Sequence, residues 1–343
     1  LLWHAYPRIG VDDRNQFDYF RDMPGGLKGV RSVVDAFHDR GIKVFINYNP
    51  WDRGVRREAI SDEEALAEMV TALDVDGIFL DTMSAASEKL REKIDAKKRG
   101  VAFVPEGHPV TQEIGGLTGS WFQMFTKYPF SPVLLHHKFL EPRHMEYQIN
   151  RWAGLKPDNR NHNDEIVNAF FNGSGMMIWE NIFGTYNPWN IQDRALWRRG
   201  YRILKTFPKH FVHGGPDPFY PTLTEDVYAH RWTLDDITIF TMVNTGTPKN
   251  GIPLIKWDKV LKYFDLWNGK ELQTHPLGSG HVEVIGSIEQ LGAIIALPED
   301  QIDTKLKDLL AAQQLDASTP LPEKDARNVA DSVIDAELVV RTK

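Results

Sequence analysis

The sequence contains no cysteine, which excludes disulfides, thiolate metal sites and cysteine nucleophiles and leaves the redox compartment open. It has no excess of positive charge: 40 basic side chains against 47 acidic ones give a net charge of −7. Nothing in that balance favours a nucleic acid or an anionic membrane surface as a partner. Long apolar runs are missing too, none approaching the ~20 residues that span a bilayer, so membrane insertion is not expected. No charged segment followed by an apolar one opens the chain at Leu1. A signal peptide would lie upstream, and a secreted or periplasmic address stays open. Gly25-Gly26 lacks the spacing of a phosphate-binding loop, so no nucleotide cofactor, and no other cofactor, is expected.

What is present is organised. A chain of 343 residues is long enough for about two domains. Up to residue 211, short β-branched or aromatic runs alternate with amphipathic stretches, as in a parallel barrel. Strands are expected at Leu1–Tyr6, Lys43–Tyr48, Gly77–Asp81, Val101–Glu106 and Met176–Glu180, with weaker candidates at Trp121–Phe125 and Val133–His137. Helices are expected at Leu27–Arg40, after the Ser61…Glu64 capping box, and at Ala86–Lys98, Asp164–Asn172 and Asn190–Lys209. Seven strands, where a closed barrel needs eight, point to a (β/α)8 TIM-type barrel truncated at its N-terminus. Residues 212–298 change texture: β-rich runs such as Val227–Thr233, Ile237–Val243, Tyr263–Trp267, His281–Ile285 and Ala293–Leu297 are separated by turns at Asn268-Gly269 and Gly278-Ser279-Gly280. They read as an antiparallel β-sandwich. Residues 299–343 read as a helix, Glu299–Gln314, and a linker, with a further strand at Glu337–Arg341.

In parallel barrels the chemistry sits where strands end, because that face carries the βα loops. Asp81 ends the run Gly77-Ile78-Phe79-Leu80, and Glu106 follows Val101-Ala102-Phe103-Val104-Pro105 in the next strand. Two acids from adjacent strands would project into one mouth. Glycosidic cleavage needs such a pair: one carboxylate attacks or stabilises the anomeric carbon, the other donates a proton to the leaving oxygen. Each acid also has a structural reading, Asp81 as an N-cap ahead of Thr82 and Ser84, Glu106 as a solvated loop acid. The segment Tyr48-Asn49-Pro50-Trp51-Asp52 offers hydroxyl, amide, ring and carboxylate contacts for a sugar. Trp179 and Glu180 end the last strand; Glu180 rivals the other acids for the proton-donor role. His108 and His136-His137 invite a metal, but adjacent histidines in a strand face opposite sides. One histidine at the mouth, His108 or His137, bonding a sugar hydroxyl is the preferred reading, and no metal is assigned.

The runs GIKVFINYNPWDRG, DGIFLDTM, VAFVPEG and GMMIWEN, in this order ahead of a β-sandwich, resemble the retaining (β/α)8 glycoside hydrolases of the α-galactosidase and α-amylase superfamily. The resemblance covers roughly residues 1–298. It implies an O-glycosyl hydrolase acting on an α-glycoside, with Asp81 as nucleophile and Glu106 as acid/base, the latter as in the amylase-like and endo-α-N-acetylgalactosaminidase-like branches. The superfamily usually carries Arg or Lys two residues before the nucleophile, where this chain has Phe79. A non-catalytic glycan-binding protein on a degenerate barrel is the alternative; a metal-dependent hydrolase ranks last.

Overall fold

The computed structural model describes residues 1–3, 13–52, 56–122, 132–149, 162–178, 181–182, 185–186, 189–258 and 261–321. The contacts divide the chain into two compact units, one of residues 1–123 and 143–147, the other of 124–142 and 148–343. The change of texture near residue 211 marks a change of secondary structure, whereas the division by contacts falls earlier.

The first unit is a β/α repeat. Its elements are helices α1 (Gln16–Arg21) and α2 (Gly26–His38), strand β1 (Phe45–Tyr48), α3 (Asp62–Leu73), β2 (Gly77–Leu80), α4 (Glu88–Lys97), β3 (Ala102–Pro105) and β4 (Gly119–Phe122). Strands β1, β2 and β3 pair in parallel, in sequence order, with Phe45 opposite Gly77 and Leu80 opposite Pro105. Leu2 bridges to Ile46 on the outer side of β1. Thr118 N–H donates to Phe103 O at 2.9 Å and Met145 N–H to Thr118 O at 3.1 Å, continuing the succession beyond β3. The Ser61 signal acts as a cap, Ser61 Oγ accepting from Glu64 N–H at 3.3 Å, and Ser87 Oγ, not singled out in the sequence, caps α4.

Alternation sorts each strand into two faces. Ile46, Ile78, Leu80 and Phe103 enter one core with Val34, Leu66, Val70, Leu73, Leu90 and Ile94 of the helices. Asn47, Phe79 and Val104 turn to the other face. On α2, Val30 and Val34 are buried, while Val33 and Phe37 remain exposed; the apolar side of this helix is only half covered.

The second unit starts with α5 (His136–Leu140), then takes the end of β5 (Met145–Ile149), α6 (Asn163–Phe171), β6 (Met176–Met177), the paired β7 (Asn181–Ile182) and β8 (Thr185–Tyr186), α7 (Ile191–Thr206) and α8 (Pro208–His213). Two expectations need correction. Val133–His137 is no strand: a short helix begins at His136, and the parallel strand is Met145–Ile149, paired to β6 through Gln148–Met176 and Ile149–Met177. Its alternating polar residues, Glu146 and Gln148, disguise it in sequence although both are fully buried. The single helix expected over 190–209 is two, because Pro208 has no N–H to continue α7 and disfavours helical backbone at Phe207. Trp179, Glu180, most of the strand expected at Leu1–Tyr6 and that at Glu337–Arg341 lie outside the described residues.

The antiparallel part comprises β9 (Gly215–Tyr220), β10 (Val227–Leu234), β11 (Ile237–Asn244), β12 (Lys249–Asp258), β13 (Lys262–Asp265), β14 (Lys270–Glu271), β15 (Gln273–Gly278), β16 (His281–Ile288) and β17 (Leu291–Leu297), followed by α9 (Thr304–Ser318). Six strands form one sheet in the order β14-β13-β17-β11-β10-β9, and β12-β16-β15 form a second. Strands β11 and β17 are buried on both faces. Phe240, Met242, Ile294 and Ala296 pack toward Val282 and Val284 of the small sheet. Ile239, Val243, Ile295 and Leu297 pack with Phe170, Phe171 and Ile203 of the helices and with Leu306 and Leu309 of α9. That burial explains their continuous apolar runs. Strands β9, β12 and β15, which escape the sequence reading, contain Pro216, Pro218, Pro253 and Pro276 and lie at sheet edges, where a missing N–H is tolerated.

Candidate active site

The chemistry starts from the register of β2 and β3. Leu80 and Pro105 are paired, so Asp81 and Glu106 are the next residues of neighbouring parallel strands. The ladder continues through them: Asp81 N–H donates to Tyr48 O at 2.9 Å, and Glu106 N–H to Leu80 O at 3.0 Å. Alternation then places both carboxylates on the face of Phe79 and Val104, away from the helices, with Asn49 directly following β1 on the same face. Asp81 is 2% exposed. Below it, Phe79 stacks on Trp121 with ring centroids 4.2 Å apart and contacts Trp3 at 4.9 Å. The face of β2 that precedes Asp81 is therefore aromatic.

Glu106 is held by the loop that follows Asp81. Its Oε2 accepts from Thr82 N–H at 2.8 Å, and Gly107 N–H donates to Met83 O at 2.8 Å. A Cβ on Gly107 would lie 2.5 Å from Ser84 Oγ and 3.0 Å from Met83 O, so a side chain there would push against the facing loop. Thr82 sits at φ +58°, a left-handed conformation unusual for a β-branched residue. Strain of this kind collects at functional sites.

The expected sugar contacts separate. Tyr48 packs with the helix-side core and its hydroxyl donates to Asp62 Oδ2 at 3.0 Å, on the opposite side of the sheet from the carboxylates. Asn49 is fully buried, Asp52 is 4% exposed, and Trp51 presents its ring at 45% exposure. The Asn49 backbone is held by Gln16, whose amide accepts from Asn49 N–H and donates to Asn49 O, both at 2.9 Å. Gln16 is a positioning residue without a sequence signal; it lies on a six-residue helix whose capping box at Asn15 and Asp18 is the sole local clue. His108 Nδ1 lies 3.5 Å from Glu146 Oε1, and its ring meets Phe122 edge-on at 5.6 Å. Glu146, fully buried, is a further acid of this unit, missed because its strand was missed.

His137 falls in the second unit, 1% exposed. The assumption that His136 and His137 face opposite ways fails: on a helix their ring centroids lie 4.1 Å apart.

No protein-family model matches the sequence, and no curated protein is significantly similar to it. Solved structures do match, and they are α-amylases and related enzymes: the α-amylase of Geobacillus thermoleovorans complexed with acarbose (TM-score 0.61, 12% identity, 87% of this chain and 88% of that one), an Anoxybacillus α-amylase (0.56, 14%, 80% of each) and a maltogenic α-amylase of Thermotoga neapolitana (0.52, 12%, 79% and 82%). At such identities the likeness establishes the fold, that of the α-amylases. Among the described residues no helix is long and apolar enough to cross a membrane.

Proposed function

We propose that this chain is an O-glycoside hydrolase that cleaves an α-glycosidic bond with retention, Asp81 serving as nucleophile and Glu106 as acid/base. The observation that carries the reading is the pair of carboxylates succeeding the paired residues Leu80 and Pro105 on one face of a parallel sheet. The α-amylase fold and the exposed Trp51 beside the strand ends support it. In the first step Asp81 attacks the anomeric carbon while protonated Glu106 gives its proton to the glycosidic oxygen, and the aglycone departs as an alcohol. In the second, Glu106 takes a proton from water as that water attacks the same carbon and releases Asp81. Because Phe79 replaces the cation under the nucleophile, orientation of the sugar falls to hydroxyl partners around the mouth.

Activated aryl α-glycosides test this. Asp81→Asn and Glu106→Gln are each expected to lower turnover by about 10²-fold or more, with thermal midpoints close to wild type. Azide should rescue Asp81→Ala by forming a glycosyl azide, which a merely structural aspartate would not permit. Wild-type hydrolysis in both amide variants would end the assignment. The aromatic face at Phe79 also favours a second reading, a glycan receptor without turnover; it predicts equal saccharide binding by wild type and Asp81→Asn and hydrolysis by neither.

A further inference from the structure

The second unit contains a positioned cation without a counter-charge. Arg199, on α7, is half-buried, and its guanidinium lies 4.7 Å from the ring centre of Trp267, which is itself 5% exposed. Nη2 donates to Trp267 O and to Asn268 Oδ1. Asn268 is fixed in turn by Asp265, which accepts from its backbone N–H at 2.9 Å and from its side-chain amide at 2.8 Å. The guanidinium is thus held in one orientation, yet Nη1 stays open with no hydrogen-bond partner among the described residues. Arg199 also enters no ion pair among them. Three acids lie in its field, Asp265, Asp316 and Glu289, but two are committed elsewhere. Asp265 spends both oxygens on Asn268 and on Trp267 N–H, and Asp316 pairs with Arg198 and Arg202. Burial accordingly pushes the Arg199 guanidinium below its ordinary range, as it does for a charge short of both water and a partner.

Arg199 lines a cavity of about 290 Å³. The same wall carries Asn268, Lys270 at the start of β14, Asn250 of β12, Ser287 of β16 and Glu289. Lys270 is exposed and, like Arg199, forms no ion pair among the described residues. Two uncommitted cations against one uncommitted acid favour an anionic group on whatever fills the cavity, and an arginine fixed by its own hydrogen bonds is suited to a carboxylate. Two amides, a hydroxyl and the Glu289 carboxylate in the same wall suit hydroxyl groups. The volume is that of a small ligand.

We infer that this cavity binds a small polyhydroxylated acid of the uronic acid class, its carboxylate accepting from Arg199 Nη1 and the Lys270 ammonium and its hydroxyls meeting the amides and Glu289. The enclosed Arg199 Nε–H supplies a reporter: its signal in the ¹⁵N-labelled full chain is the one missing from Arg199→Lys. Glucuronate should move that signal saturably, whereas glucose at the same concentrations should leave it in place. By calorimetry, glucuronate should bind about tenfold more weakly to Arg199→Lys. In Lys270→Gln, where an exposed side chain is changed, the loss should be about threefold. An unmoved signal with glucuronate, an equal response to glucose, or affinity unchanged in both variants would overturn the inference. Inorganic sulfate binding as tightly as glucuronate would also overturn it, as the mark of an adventitious ion only. Asp81 and Glu106 belong to the first unit, so hydrolysis of aryl glycosides by Arg199→Lys and Lys270→Gln reads the catalytic assignment separately.

Discussion

Individual acids of the first unit divide by the end of the sheet they occupy. Asp76 lies at the entry to β2, where Val44 N–H donates to its Oδ2 at 2.8 Å, with His38 Nε2 at 2.7 Å and Lys43 Nζ at 3.0 Å. Burial alone would raise its carboxyl, but these three donors pull it down to about 2 from 3.8. A depressed carboxyl stabilises the fold above its unfolded value, and that contribution disappears as pH falls from about 4 toward about 2. Asp76→Asn should therefore cost about 2 kcal/mol at pH 7 and little near pH 2, readable from urea denaturation at the two pH values. Asp81, at the exit of the same strand, is buried on the face that also carries Phe79. Sequence separates the two acids only through the strand between them, and that strand is legible in Gly77–Leu80.

At the scale of elements, the loops leaving β2 and β3 act as one. Thr82 stores backbone strain while its N–H secures Glu106, and its side chain is exposed, so no packing depends on it. Thr82→Gly should stabilise the fold by about 1 kcal/mol by removing the positive-φ penalty. The same change should lower kcat by loosening the carboxylate. Thermal unfolding beside steady-state kinetics will show whether both move; a variant equally active and more stable would detach the strain from function. Neither the strain nor the Gly107 contact is visible along the chain, since both arise from two loops meeting. Central strands and capped helices were legible because their signals are local: the Ser61 cap and the buried runs of β11 and β17 are examples. Met145–Ile149 was illegible because its buried polar partners come from elsewhere in the chain, as with Gln148 Oε1, which accepts from Asn168 Nδ2 at 2.5 Å.

At the scale of the molecule, the helix read as leading into a linker is part of the second core. Leu306 and Leu309 of α9 pack with Phe264, Leu266 and Trp267. Gln313 donates to Arg199 O at 3.1 Å and Leu266 O at 3.0 Å. Asp316 pairs with Arg198 and Arg202. Leu306→Ala should cost about 2–5 kcal/mol and weaken hydrogen-exchange protection in β13 and β17 together; a loss confined to α9 would show that the helix is an appendage. By itself the sequence determined the succession of parallel strands and helices, the antiparallel strands after them, and the two acids at consecutive strand ends. Those follow from hydrophobic period and turn chemistry, which neighbouring residues set. The tertiary structure alone decided that Tyr48 turns toward the helices, that Gln16 braces Asn49, and that His162 stacks on Trp189 while its N–H reaches Asp193. Such arrangements depend on which distant segments share a face, a property of packing that no local pattern encodes.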